Sequence, residues 1–122
     1  MPKTQQQILG DRGEQVAADF LKASGYEVLD RNWRCRAGEL DLVAKDSTGR
    51  VIGVEVKTRS SQRFGTGFDA INAAKYRRLQ KLLLLWAQSH STYVPSIRID
   101  VVEVYLLPGD GKVIEHLQDV QS

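Results

Sequence analysis

Gly38-Glu39-Leu40-Asp41-Leu42-Val43-Ala44 and, after a polar break, Val51-Ile52-Gly53-Val54-Glu55-Val56-Lys57-Thr58 decide how this chain is read. Apolar residues dominate both segments, β-branched ones the second, and both are too short for helices, so they predict strands. Strand side chains alternate between two faces. Glu39 and Asp41 are therefore expected on one face, and Glu55 and Lys57 on one face. A charge in such a strand is costly unless it is paired or bound to a metal. Three carboxylates and one lysine on adjoining strands predict a metal site with a catalytic base beside it.

The break, Lys45-Asp46-Ser47-Thr48-Gly49-Arg50, is polar and contains glycine, as a hairpin loop should. A loop from Asp46 to Arg50 with pairing symmetric about Thr48 sets Asp41 opposite Glu55 and Glu39 opposite Lys57. Directly opposed residues on one face have Cβ atoms roughly 4.5–5.5 Å apart, where like charges destabilise the sheet. A divalent cation between the acids reverses that sign. All-oxygen ligands favour Mg²⁺ or Mn²⁺, hard ions suited to phosphate chemistry. A one-residue slip would put the acids on opposite faces and end this reading.

Outward from the hairpin, Val16, Ala17, Phe20 and Leu21 recur at helical spacing between about Ile8 and Ser24, and Gly25 supplies a stop. Tyr26 to Arg34 is the expected first strand. Thr58 to Phe68 reads as loop. Asn72 is the expected cap of a second helix running to about Gln88, with Leu79, Leu82, Leu83 and Trp86 as its buried stripe. Ile97 to Leu107 and Lys112 to Leu117 read as the last strands, joined by a Pro-Gly turn. The second helix is expected to cross over and return its strand to the same sheet. The expectation is α/β: a central mixed β-sheet flanked by helices.

At 122 residues the chain is expected to be one domain, residues 1–122 with a core of about 8–117. Its 42% hydrophobic and 26% charged content is ordinary for a globular protein, and a net charge of +2 says nothing about nucleic acid by itself. The single Cys35 suggests a reducing compartment. Met1 to Gln7 is polar and unlike a signal peptide, and Leu82-Leu83-Leu84-Leu85-Trp86 is too short to span a bilayer. A cytoplasmic protein with no membrane association is expected. His90 and His116 lack a serine or cysteine partner at a telling position, and one cysteine with two separated histidines does not make a zinc site.

Each candidate has a plainer reading beside the functional one. Glu14 is either a solvated helix glutamate or, over the sheet, a further metal or water ligand. Asp41 and Glu55 either hold a metal or pair with Arg36, Lys57 or Arg59. Lys57 is either the ion-pair partner of Glu55 or an ammonium that orients water and stabilises charge in phosphodiester hydrolysis. Glu39 is a supporting group or a ligand to a second ion. Arg59 and Arg63 in the loop, and Lys75, Arg77, Arg78 and Lys81 on the second helix, form either a solvated basic face or a set of phosphate contacts.

An acid in one strand, then Glu-x-Lys in the next, preceded by a helix carrying Glu14, resembles the PD-(D/E)xK nuclease superfamily. More narrowly, Gly13-Glu14 with Ala17, the Gly38–Ala44 and Val54–Arg59 runs, Lys75 with Arg77-Arg78-Leu79, and Arg98-Ile99-Asp100-Val101-Val102 resemble the bacterial YraN family. Leu40 stands where the superfamily motif carries proline; the acid after it is retained. The resemblance, which extends to archaeal Holliday-junction resolvases, implies a restriction-endonuclease-like αβββαβ core. It implies Asp41 and Glu55 as metal-binding acids, Lys57 as the catalytic lysine and Glu14 as the helix acid. The expected activity is Mg²⁺- or Mn²⁺-dependent hydrolysis of DNA, branched DNA included, with a homodimer allowed. The alternative is a nucleic-acid-binding or assembly module that keeps the fold without catalysis.

Overall fold

The structure is a computed structural model, which describes residues 2–60 and 71–120. Helix α1 spans Gln5–Ala23. It starts three residues before the expected position because Thr4 and Gln7 form a capping box: Gln7 N–H donates to Thr4 Oγ1, and Thr4 N–H to the Gln7 side chain. Gly25, at φ +93°, turns the chain into strand β1, Glu27–Cys35. Strands β2, Gly38–Lys45, and β3, Val51–Arg59, follow as the expected hairpin. Helix α2, Ala73–Ser89, is capped by Asn72, whose side chain accepts from the Lys75 amide. Strand β4, Ile99–Leu106, and β5, Lys112–Leu117, complete the chain across a short 3-10 turn at Pro108–Asp110.

The five strands form one sheet in the order β1-β2-β3-β4-β5. All neighbours are antiparallel except β3 and β4, which are parallel. A parallel neighbour demands a crossover, and α2 supplies it. The αβββαβ order implied by the resemblance is present, with β5 added at the edge.

The helices cover opposite faces. Ala17, Ala18 and Leu21 of α1 pack with Leu42, Ala44, Ile52, Val54, Val102 and Val104. Leu79, Leu82, Leu83 and Trp86 of α2 pack with Leu40, Val43, Val51, Ile99 and Val101. The central strands are thus apolar on both sides, as a parallel pair requires. Among the described residues no helix is long and apolar enough to cross a membrane.

One detail departs from simple alternation. Leu40 belongs to the α2 side and Leu42 to the α1 side, although they lie two residues apart. The break falls at Asp41. Across β1 the register runs Arg31↔Leu42 and Trp33↔Leu40, so Asn32 is its opposite residue, and Asn32 takes φ +52°. Asparagine tolerates that left-handed conformation better than most residues. Strict alternation along this strand is therefore broken at Asp41, although Glu39 and Asp41 still line one common cavity.

Candidate active site

The hairpin loop fixes the register. Asp46 accepts hydrogen bonds from the Thr48 and Arg50 amides, and Gly49 takes φ +90°. Pairing is centred on Thr48 as expected: Lys45↔Val51, Ala44↔Ile52, Val43↔Gly53 and Leu42↔Val54. There the β2–β3 ladder stops. Beyond it the Val56 amide donates to Asp41 Oδ2 at 2.9 Å. A side chain has replaced a backbone acceptor, and Asp41 is fixed where the paired strands end. Neither expected pair beyond that end, Asp41 with Glu55 or Glu39 with Lys57, is part of the ladder. Glu39 instead meets Arg34 of β1 at 3.2 Å.

Asp41 lines two cavities. One, of about 280 Å³, lies against α1 and includes Glu14, Val56 and Thr58. The other, of about 320 Å³, lies against α2 and includes Glu39, Glu55, Lys75 and Arg78. Helix α1 comes this close because Gly13 has no side chain: a Cβ there would stand 1.8 Å from Thr58 Oγ1. The close approach carries the next residue, Glu14, to the sheet.

The electrostatics are those of crowded acids. Burial, then the charge of Glu55, pushes the Asp41 carboxyl up to about 7, against the pull of the Val56 amide; Glu14 and Glu39 add to the rise. The Glu14 carboxyl is also raised, by burial first and by Glu39 and Asp11 after it. Its Oε1 is buried without a hydrogen-bond partner. Glu55 is 9% exposed, and its Oε1 lies 2.8 Å from Lys75 Nζ. The lysine that meets Glu55 is thus on α2, held in place by the Asn72 cap. Lys57, two residues along β3 on the same face as Glu55, is half-buried beside Glu103 of β4.

The other expected contacts separate into groups. Arg78 reaches the α2-side cavity, while Arg77 and Lys81 are exposed on α2. Arg59 turns its Nε toward Glu103, 3.9 Å away. Arg63 lies outside the described residues. Two further buried acids of β4, Asp100 and Glu103, line neither cavity and were not in the expected set. The signal for them was in the sequence: both are charges in an apolar strand, the same anomaly that marked Asp41 and Glu55.

The donor set that could hold a cation is all oxygen. Among the described residues no three His, Cys, Asp or Glu side chains converge into a cage. Asp41 with Glu55, and the orphaned Glu14 oxygen behind Asp41, suit an ion that keeps several waters and takes one or two carboxylates, as Mg²⁺ does.

Residues 13–104 match the family model described as uncharacterised protein family UPF0102. A UPF0102 protein of Renibacterium salmoninarum is 49% identical over 110 residues, covering 90% of this chain and 92% of that relative. One from Nocardia farcinica is 46% identical over 114 residues, covering 93% of this chain and 89% of its own. A third, from Symbiobacterium thermophilum, is 49% identical over 105 residues, with 86% and 87% covered. The chain belongs to the UPF0102 family, that of the YraN proteins its motifs resemble.

Proposed function

We propose that this protein is a Mg²⁺- or Mn²⁺-dependent endonuclease that hydrolyses phosphodiester bonds in DNA, branched or junction DNA included. One observation carries the reading: Asp41 is held at the end of the hairpin ladder beside Glu55, with its carboxyl pushed up to about 7 by burial and by that acid. A fold gains no stability from such an arrangement. A cation held by Asp41 and Glu55 would remove the repulsion, and its chemistry would be Lewis-acid activation of phosphate and water.

This chain's own residues supply the rest. Lys57 stands on the same strand face as Glu55, where its ammonium can orient the attacking water and stabilise charge developing on the phosphate. Glu14, brought to the Asp41 side by the Gly13 contact, accepts hydrogen bonds from water in the α1-side cavity. Arg59, Arg77, Arg78 and Lys81 provide cationic contacts to flanking phosphates. Arg63 belongs to the same proposal by sequence.

The second reading, a non-catalytic nucleic-acid-binding module, has one observation in its favour. Lys75 lies 2.8 Å from Glu55 and compensates one of the two acids without any metal. In the catalytic reading that ion pair must open or share Glu55 with the cation. A cleavage panel of four-way junction, flap, single-stranded and linear duplex DNAs with Mg²⁺, Mn²⁺ or EDTA separates the two. Metal-dependent products that vanish with EDTA support the nuclease. Tight binding without cleavage of any substrate leaves the module.

A further inference from the structure

Glu103 lies in the middle of β4 with no exposed surface. Val102 and Val104 pack on the α1 side, so alternation puts Glu103 on the α2 side, the side of Glu55 and Lys57. A carboxylate buried so completely requires partners. The hydroxyl of Tyr105, also fully buried, donates to Glu103 Oε2. The same oxygen stands 3.9 Å from Arg59 Nε, while Oε1 is buried without a hydrogen-bond partner. In the parallel register Lys57 is beside Glu103, and Arg59 is beside Tyr105. The acid therefore lies next to both basic residues at the end of β3.

Arg59 is divided in a telling way. Its Nε is buried without a hydrogen-bond partner, facing the acid at ion-pair distance, yet its side chain is 32% exposed. With Nε buried, the rest of the side chain carries that exposure. We infer that Glu103 is a positioning residue: steadied by the Tyr105 hydroxyl, it holds the inner edge of the Arg59 fork so that the outer edge meets a DNA phosphate. The inference rests on the DNA-binding part of the proposed function. A planar guanidinium binds phosphate through two parallel hydrogen bonds, so it profits from being held in one orientation. Simple charge gives the opposite sign. A carboxylate near the DNA path repels phosphate, so deleting its charge should tighten binding unless the acid acts through Arg59.

That difference in sign makes the test sharp. Glu103→Gln keeps the shape of the side chain, and Tyr105→Phe removes only the hydroxyl. Affinity for a fluorescent duplex is measured by anisotropy across a salt series without metal. Glu103→Gln should weaken binding about 3–10-fold, the scale of one side chain no longer held in place. It should also flatten the salt slope by about one unit. Arg59→Ala should do the same, and the double variant should be no worse than Arg59→Ala. Tyr105→Phe should move affinity in the same direction by less, which covers the case in which Glu103→Gln fails to fold. A second arm needs no DNA: ¹⁵N NMR of the free protein should show an ordered, slowly exchanging Arg59 Nε–H that becomes mobile in Glu103→Gln. Tighter or unchanged binding by a folded Glu103→Gln overturns the inference, as does an Nε–H equally mobile in wild type. Wild type that binds no DNA sinks the DNA reading and the phosphate role together, and the NMR arm alone then decides whether Glu103 holds Arg59.

Discussion

Two aspartates are set into the same sheet among apolar side chains, and they are held in opposite ways. Asp100 of β4 is wholly buried, and both its oxygens are filled. Oδ1 accepts from Arg98 Nε and the Asp119 amide, each at 2.9 Å; Oδ2 meets Arg98 Nη2 at 3.0 Å and His116 Nε2 at 2.8 Å. Arg98 continues outward to Tyr26, Gln118 and Asp46. Burial pushes the Asp100 carboxyl up, but the bonds from His116, Arg98 and the Asp119 amide outweigh it and hold it below the ordinary range. Asp41 has one backbone amide and carboxylates for neighbours, and its carboxyl is pushed up to about 7. A satisfied buried acid is part of how the fold is held. An acid crowded by others is a stability cost, and such costs concentrate where function requires them.

The largest expected effect lies at the satisfied end. Asp100→Ala would leave the Arg98 guanidinium buried without its main acceptor. Breaking a buried pair from one side typically costs about 3–5 kcal/mol. Urea denaturation at pH 7 should show a loss of that size. A loss below about 1 kcal/mol would mean that Asp100 is no more structural than Asp41, and the contrast would collapse.

Lys57→Ala should act on rate with little effect on folding or DNA affinity. Losing one preorganised charge-stabilising group lowers turnover by about 10²–10³-fold. In the proposed nuclease the interaction would belong to the transition state, so kcat should fall with KM nearly unchanged. Equal losses of DNA affinity and turnover would instead make Lys57 a binding residue.

The two aspartates also predict opposite pH behaviour. A lowered carboxyl contributes stability above its unfolded value near 3.8, and that stability is lost as pH falls through the folded value. A raised carboxyl does the reverse: its contribution is complete below about 3.8 and is lost as pH rises to about 7. Asp41→Asn removes the cost of ionising a buried acid and keeps an acceptor for the Val56 amide. At pH 8 without metal it should stabilise the protein by about 2–4 kcal/mol, since a tenfold change in acidity corresponds to about 1.4 kcal/mol. At pH 4 the gain should vanish. Mn²⁺ should raise the melting temperature of wild type and leave Asp41→Asn unmoved. A gain independent of pH would show that Asp41 is not the titrating group.

Much of this contrast is legible along the chain, and the reasons are local. The hairpin register follows from a short loop whose Asp46 and Gly49 have turn chemistry of their own, so Leu42 to Val54 can be paired by counting. The stripe on α2 follows from helical period. What local rules cannot supply are contacts made by docking. Lys75 reaches Glu55 only because the crossover sets the first turn of α2 over β3. Likewise, Glu103 finds Arg59 only through the parallel register of β3 and β4. The break in alternation at Asp41 falls across from the left-handed Asn32 on the neighbouring strand, and nothing in β2 itself announces it. Thr4 and Gln7, by contrast, are readable as a capping box. The expected helix start falls late only because apolar period begins after the cap.

The smallest expected effects lie on the exposed flank of α2, where Arg77 and Lys81 project from the helix that delivers Lys75 to the site. Exposed cations act on DNA through counterion release, each phosphate contact adding about 0.9 to the salt slope on duplex DNA. Arg77→Ala and Lys81→Ala should therefore each flatten the slope by about one unit and weaken binding at low salt. Stability should hardly change, because surface substitutions away from packed features usually fall within about 0.5 kcal/mol. Arg78, which reaches the cavity shared with Asp41 and Glu55, should behave differently. Its loss should flatten the slope and also alter Mn²⁺ affinity, because a guanidinium facing the acids competes with a cation for them. Unchanged slopes for Arg77→Ala and Lys81→Ala would reduce the flank to a solvated face and confine the DNA contacts to the β3 end of the sheet.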